Sequence, residues 1–453
     1  MSPDPFVHLH VASGYSLQYG ASHPHVLVER AVEHEMDTLA LTDRDGTYGA
    51  VRFAKACMQG GVRPVLGVDL AVAPTGALPS SAMSPGAAPP RTPVRGGAFR
   101  DPRLPRATFL AGSKQGWAAL CRLVSATHLA GERGTPVTSL DLVAEHIAGQ
   151  DVLVMLGPAS ELGRATTLRR EDLARSALRP WLDVIDRANL IVEVVSHRAA
   201  GSGPGSSPHA ARMAGISRAE NLGVVLTNAV RYADRSDAAT VDVLDAARRL
   251  VPLGSADLSH VGTIDFRGNA EGFLKSGKQM VEVAEEICRF AGLGERDARG
   301  LLSRTRMVAD RCAVDPRADL GLGEVHFPEF AVGRGGADAM LRARCEAGIG
   351  RRYGSAPRQR IWKRLDDELQ IIGKLGYASY FLTVGDVADL IKEMNVRCAA
   401  RGSGAGSLVN YLLGVSGVDP LRHGLLMERF LSPLRQALPD IDIDVESARR
   451  LEV

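Results

Sequence analysis

Lysine is nearly missing from this chain: 7 of its 54 basic residues are lysines, and the rest of the positive charge is carried by arginine. Arginine's planar fork suits bidentate contacts to carboxylate and phosphate, although the abundance of alanine and glycine points to GC-rich coding as the simpler origin of the bias. Cysteine is also sparse. The six cysteines, at positions 57, 121, 288, 312, 345 and 398, include no C-x-x-C pair, which excludes a zinc cluster and a disulfide framework and suits a reducing compartment. No apolar run is long enough to span a bilayer and no leader-like segment opens the sequence, so a cytoplasmic location without membrane contact is expected. A net charge of +2 excludes a nonspecific polycation. No internal repeat is evident. With 453 residues, 45% of them hydrophobic, the chain can bury two or three cores, on a prior of roughly 150 residues each.

Charge is organised locally. Between Arg397 and Arg435 there are five arginines against two acids, and Asp440, Asp442, Asp444 and Glu446 then follow without a compensating base. The Gly-Ser run Arg401-Gly402-Ser403-Gly404-Ala405-Gly406-Ser407 lies between a predicted helix containing Asp386–Ile391 and the apolar run Leu408–Leu413. Gly-Ser runs are commonly linkers, but one pinned between two packed elements is a poor linker, and glycine lets backbone N–H groups approach phosphates. Asp440, Asp442 and Asp444 alternate with Ile441, Ile443 and Val445, so a strand of period two projects all three carboxylates from one face. An EF-hand loop is excluded, because neither its central glycine nor its closing glutamate is present. Hard oxygens beside a phosphate loop suit magnesium, which points to metal-assisted phosphoryl or nucleotidyl transfer.

The amino-terminal part reads differently. Residues 6–11 predict a strand, 24–35 a helix entered through Ser22, 38–41 a strand, 48–58 a helix and 62–71 a strand, an alternation that argues for a parallel sheet or barrel. His8, His10, Asp43 and Asp69 fall at or just after these strands, where such folds gather ligands. An H-x-H pair alone is a weak metal signal. Residues 72–106 carry eight prolines, five arginines and one acid, a composition that cannot offset its ordering entropy and predicts a mobile insertion. A shorter Gly/Ser/Pro-rich loop is expected at 199–208. Helices are predicted at 280–290 and 301–312, and most clearly at 359–374, where Ile361, Leu365, Leu369 and Ile372 form a core stripe.

From Tyr380 to Arg450, the ordered set Tyr380-Phe381-Leu382, Arg401-Gly402-Ser403, Asp419-Pro420, Glu428-Arg429-Phe430-Leu431 and Pro439-Asp440-Ile441-Asp442-Ile443-Asp444 resembles the palm of bacterial C-family DNA polymerases. These are the DnaE-type alpha subunits of DNA polymerase III and their error-prone paralogues. The resemblance implies a polymerase-beta-like nucleotidyltransferase palm. Within it, Asp442 and Asp444 match the catalytic aspartates that hold two magnesium ions, and Asp440 has a supporting role. Arg401, Gly402, Ser403, Gly406 and Ser407 match the loop that holds the incoming triphosphate, and Arg429 is a further nucleotide contact. The family's third catalytic aspartate, thumb, fingers and clamp-binding modules find no counterpart, so the chain reads as a truncated polymerase. Primed DNA and deoxynucleoside triphosphates are the implied partners; sliding clamp and replisome contacts would need the modules without a counterpart.

Residues 5–71 and about 107–247 resemble the polymerase and histidinol phosphatase (PHP) domain that opens these polymerases, with Ala126-Thr127-His128 and Thr227-Asn228-Ala229-Val230-Arg231 continuing the match. His8, His10, Asp43, Asp69 and His128 fall on its metal site. Tyr19, Arg44, Ala229 and Arg231 stand where metal-competent members carry carboxylates and histidines, and Asp69 replaces a glutamate. The site is therefore expected to have lost its metal. The expected architecture is α/β, with a PHP-type (β/α) barrel-like domain at 1–265, a helical connecting segment at 266–355 and a partial palm at 356–453. Two rivals compete with a DNA polymerase: a PHP-type phosphoesterase or 3′–5′ exonuclease, and a noncatalytic DNA-binding fragment. The Gly404-Ala405-Gly406 sequence leans toward the replicase, and Asp43-Arg44-Asp45-Gly46 toward the error-prone paralogue, which the reading favours.

Overall fold

The computed structural model describes residues 6–78, 104–131, 134, 136–249, 252–253, 269–324, 336–354, 359–432 and 438–453, together with the backbone of 92–93 and 99–100. Two compact units divide the chain, Met1–Leu322 and Gly323–Val453.

The first unit is built on a six-stranded sheet. Its strands are β1 (Thr38–Leu41), β2 (Arg63–Ala71), β5 (Arg106–Ala111), β6 (Val152–Leu156), β7 (Leu190–Val195) and β8 (Gly223–Thr227), hydrogen-bonded in that order. Two residue pairs, β3 (Thr92–Pro93) and β4 (Phe99–Arg100), make a separate short ladder. The strands are continuous apolar runs such as Val-Leu-Val-Met-Leu in β6, as expected for a sheet covered on both faces. Parallel pairing holds for β1/β2, β6/β7 and β7/β8, but β5 runs antiparallel to both β2 and β6. The strand-helix alternation argued for a parallel sheet or barrel; the sheet is mixed, with β5 as its antiparallel strand. Residues 8–12 join the sheet's two edges: the Ala40 amide donates to the His8 carbonyl, and the Ala12 amide to the Val230 carbonyl. The α/β, barrel-like PHP architecture is thus present.

Local sequence explains the helices. Pro24 occupies the first turn of the Pro24–Glu33 helix, where its missing N–H costs nothing. Its N-cap is His23 rather than the predicted Ser22, whose hydroxyl instead accepts from the Ala233 amide. Ser276 and Gln279 form a reciprocal capping box on the Gly277–Phe290 helix. That helix and the following one, Glu295–Cys312, pack into the first unit. Met280, Val283, Ile287 and Leu301 enter its main core, while Ala309 and Cys312 pack with Val7, Leu9 and Val225. The compact unit accordingly ends at residue 322, beyond the 265 boundary read from sequence. Amphipathic periodicity shows that a helix has a buried face, not which core receives it. Most of the 72–106 insertion, including its expected mobility, lies outside the described residues. Its ends are tied in, with Val72 accepted by the Pro105 carbonyl and Arg106 opening β5.

The second unit packs three helices, Gly336–Tyr353, Gln359–Leu375 and Ala378–Glu393, around Leu341, Ile361, Leu365, Ile372, Phe381 and Phe430. Beside them lies a two-stranded antiparallel ladder of β9 (Cys398–Arg401) and β10 (Asp442–Val445).

Candidate functional site

The β9/β10 ladder pairs Asp442 with Arg401 and Asp444 with Ala399. Asp442 and Asp444, two residues apart, face the same side of β10 as expected. Arg401 reaches across both: its Nη2 lies 3.3 Å from Asp442 Oδ2, and its Nε lies 3.4 Å from Asp444 Oδ1. These side chains are open to solvent, at 62%, 42% and 66% exposure for Arg401, Asp442 and Asp444. Asp440 lies ahead of β10, exposed and outside the ladder, so the expected three-carboxylate face holds two. Tyr380 hydrogen-bonds the Ile441 backbone, which fixes the approach to the strand; burial, with the Asp440 and Asp442 charges, pushes its hydroxyl pKa up. The Gly-Ser loop leaves β9 directly. Gly402 has φ +71°, a left-handed conformation that favours glycine, and a Cβ there would sit 3.6 Å from Asp442 Oδ2. Arg401, Gly402 and Ser403 are exposed beside the two aspartates.

Gly406 and Ser407 belong to a different environment. Ser407 is 1% exposed, and its hydroxyl donates to Glu368 Oε2 at 2.9 Å while accepting from the Asn410 amide. Glu368, fully buried, also accepts from the Leu408 and Val409 amides at 3.0 and 3.1 Å. Its carboxylate thus takes the backbone donors that directly follow the loop expected to hold the triphosphate. Arg364 donates to Glu368 at 2.7 Å and to the carbonyl of Gly406 at 3.1 Å. A Cβ on Gly406 would meet the Leu426 carbonyl at 3.0 Å. The expected triphosphate contacts at Gly406 and Ser407 are therefore corrected: both residues brace the loop from inside. Arg429 is exposed on a short 3-10 turn, with no ion pair among the described residues.

Donor chemistry at the hairpin fits a hard cation, since two half-exposed carboxylates share a face. No group of three or more His, Cys, Asp or Glu residues that could hold a metal occurs among the described residues.

The PHP pocket is arranged otherwise. His10 Nδ1 bonds Glu193 Oε1 at 2.7 Å, and its Nε2 lies 4.0 Å from Asp69. Burial disfavours the imidazolium, yet the Glu193 and Asp69 carboxylates outweigh it and raise the His10 pKa. Asp69 receives Arg44 Nε at 3.2 Å and Arg106 Nε at 3.0 Å. Burial alone would raise the Asp69 pKa, but the charges of Arg106, Arg44 and His10 hold it below the ordinary carboxylate value. Arg106 also reaches Asp45 at 2.8 Å. The Tyr19 ring lies under the Arg44 guanidinium at 3.2 Å and the Arg231 guanidinium at 4.0 Å, and Arg231 is clamped by Asp245. The departures read from sequence at 19, 44 and 231 thus meet in one stack.

Asp43 accepts from the Ser13 amide and from the Ser13 and Ser16 hydroxyls, and burial raises its pKa. His128 is only partly buried, and its Nε2 bonds the Asp45 carbonyl at 2.6 Å. His8 is fully buried, and its Nε2 is tied to the Lys275 carbonyl at 2.8 Å. Burial pushes the His8 pKa down to about 4. Lys275, itself buried, donates to Asn228 Oδ1 at 3.0 Å and pairs with Glu271 Oε2 at 3.0 Å. Burial brings its pKa down to about 8. With each carboxylate already saturated by guanidinium, hydroxyl or imidazole donors, the residues present do not fit a metal centre.

Glu193, Arg106, Lys275 and Glu368 were missed in the sequence. Glu193 had a signal, a lone charge inside the apolar run of β7. Glu368 had one too, because the buried stripe of its helix is Ile361, Leu365, Glu368 and Ile372, with Glu368 taking the place assigned to Leu369.

Residues 8–197 match the PHP domain family, and residues 339–453 match the bacterial DNA polymerase III alpha NTPase domain family. An error-prone DNA polymerase of Mycobacterium tuberculosis H37Rv is 34% identical over 457 residues, covering 99% of this chain and 37% of that protein. A DNA polymerase III subunit alpha of Saccharopolyspora erythraea is 29% identical, covering 100% of this chain and 36% of that protein. The chain thus spans a little over a third of the length of these relatives. A solved structure described as a metal-dependent phosphoesterase from Bifidobacterium adolescentis aligns at a TM-score of 0.32 and 14% identity, over 49% of this chain and 86% of that one. Two family matches in this order, with relatives aligned along nearly the whole chain, show a chain similar to bacterial error-prone DNA polymerases and DNA polymerase III alpha subunits, with a PHP domain match followed by a polymerase III alpha match.

Proposed function

We propose that the second unit supplies part of the active site of a template-directed DNA polymerase, and that the PHP domain of this chain is a structural remnant without metal. The observation that carries the first reading is the β9/β10 register, which puts Arg401 and the Gly402 turn beside Asp442 and Asp444. Asp442 and Asp444 would hold magnesium, which when bound offsets the charge that develops on the phosphates and the attacking primer hydroxyl. Arg401 neutralises the two aspartates and, being exposed on the same face, can pair with triphosphate oxygens. Gly402 and Ser403 present a small, open loop to that ligand, and Arg429 adds a solvent-facing guanidinium. Glu368 and Arg364 keep the loop's inner half fixed. The third carboxylate of such sites matches no motif position in this chain. The substrates are primed DNA and deoxynucleoside triphosphates, in a cytoplasmic setting.

The second reading is supported by Arg44 and Arg106 on Asp69 and by Tyr19 between Arg44 and Arg231. Positive charge and saturated lone pairs both oppose a cation there.

Primer extension by the 1–453 chain, with magnesium and all four deoxynucleotides, tests the first reading. Incorporation that disappears in Asp442→Ala, Asp444→Ala supports it. Incorporation that persists in that variant contradicts the assignment of the two aspartates, and template binding without incorporation favours the noncatalytic rival.

A further inference from the structure

One face of the first unit, unrelated to the PHP pocket residues, carries a cavity of about 430 Å³ lined by Thr166, Ala174, Gly215, Ile216 and Ala219, by four arginines (169, 170, 175 and 212) and by two glutamates (171 and 220). That volume is in the range of small-ligand sites.

Its charges are not evenly matched. Arg170 pairs with Asp172 at 2.5 Å, and Arg175 pairs with Glu220 at 2.8 Å and Glu171 at 3.7 Å. Arg169 and Arg212 meet no carboxylate among the described residues. Arg169 donates to the Ser202 hydroxyl at 3.2 Å, and Arg212 to the carbonyls of Thr166 (3.3 Å) and Ser202. These partners are neutral, so two guanidiniums stand together uncompensated, and burial together with the Arg169 charge lowers the Arg212 pKa.

Arg169 is also conformationally costly where it stands. It follows the C-cap, Leu168, of the Glu161–Thr167 helix, and its φ is +55°. Helices usually place glycine or asparagine at this position, because a Cβ disfavours the left-handed conformation. Arg169 thus lines the cavity at a backbone cost, exposed and with a neutral partner.

We propose that this cavity binds a small phosphate-bearing ligand of the pyrophosphate class, either inorganic pyrophosphate or the diphosphate of a nucleotide. Arg169 and Arg212 hold the phosphates, and Ala174, Ile216 and Ala219 give an apolar wall for a base. Each guanidinium keeps N–H donors beyond those spent on Thr166 and Ser202, and two adjacent positive charges suit a diphosphate better than a monoanion. The proposal is independent of the palm assignment.

The test is calorimetric titration of the full 453-residue chain with inorganic pyrophosphate, and separately with deoxyadenosine diphosphate, in buffer stripped of divalent cations. Saturable 1:1 binding is expected, tighter for the nucleotide if the apolar wall is used and equal for the two if only the phosphates are read. Arg169→Gly is the decisive variant, since glycine suits the backbone there. It should keep or raise the melting temperature while weakening binding at least tenfold. Arg212→Lys should weaken binding without that gain, and Arg299→Ala, an exposed arginine outside the cavity lining, should leave it unchanged. Absence of saturable binding, binding unaffected by Arg169→Gly, or loss of binding in Arg299→Ala would each overturn the proposal. So would displacement of neither ligand's affinity by Arg212→Lys, or a short DNA duplex that competes for the cavity while both diphosphates fail to bind.

Discussion

The PHP pocket and the β9/β10 hairpin use the same residue types, aspartates facing arginines, and arrive at opposite states. In the pocket, Asp69 is 2% exposed and receives two guanidiniums, while His10 is held by Glu193. On the β9/β10 ladder, Arg401 lies 3.3 and 3.4 Å from aspartates that are 42% and 66% exposed. A buried ion pair left without one partner is strongly destabilising, so such a lattice is kept by folding whether or not it does chemistry. An exposed pair of this kind contributes little stability and can exchange partners. Burial and saturation, more than residue identity, separate structural charge from charge available to a ligand.

The largest effect should come from a third place, the Glu368 brace, where burial is complete. Glu368→Ala removes the acceptor for Ser407, Leu408 and Val409 and leaves Arg364 facing a void. A loss of about 3–5 kcal/mol is expected for the second unit, read by urea denaturation through the fluorescence of Trp362, the tryptophan of that unit. A loss below about 1 kcal/mol would show that the brace is replaceable.

Asp69→Asn comes next. It removes the carboxylate charge shared by Arg44 and Arg106 while Arg106 keeps Asp45 at 2.8 Å, at a cost of about 3 kcal/mol, measurable in the unfolding of the first unit. If the pocket were a metal site instead, added manganese would stabilise the wild type and not the variant; no such difference is expected. The pH dependence has a defined sign. Because the Asp69 pKa is depressed on folding, its contribution is present above the ordinary carboxylate value near 3.9 and is lost as pH falls through the folded value. Because the His10 pKa is raised, its contribution is present below about 6.5 and is lost as pH rises through the folded value. His10→Gln should flatten the alkaline slope, and Asp69→Asn the acid one, in thermal melts across pH.

The smallest change in stability belongs to the hairpin. Asp442→Asn and Asp444→Asn should each alter unfolding by no more than about 0.5 kcal/mol, while removing metal affinity. A large destabilisation there would erase the contrast between the two regions.

Much of this was legible in the sequence. Period-two alternation placed Asp442 and Asp444 on one face, and the apolar stripe from Ile361 to Ile372 marked its helix. Tyr19, Arg44 and Arg231 stood out in the sequence as departures from the family pattern, and they meet in one stack. The contacts that fill the pocket could not be read, since Arg106 and Glu193 reach it from strands distant in sequence. The inner half of the Gly-Ser loop was misjudged for a similar reason: Glu368 arrives from a helix 39 residues before Ser407. Local pattern shows what a loop can do alone, and tertiary contacts decide which of its donors remain free. The antiparallel β5 and the helices at 277–312 were likewise fixed by long-range packing.

The most direct test of the contrast is manganese binding by the full chain, followed by electron paramagnetic resonance, in the wild type, in Asp442→Asn, Asp444→Asn and in His10→Gln, Asp69→Asn. Binding lost in the hairpin variant and unchanged in the pocket variant is the predicted result. Binding lost in the pocket variant and retained in the hairpin variant would contradict the account at its centre.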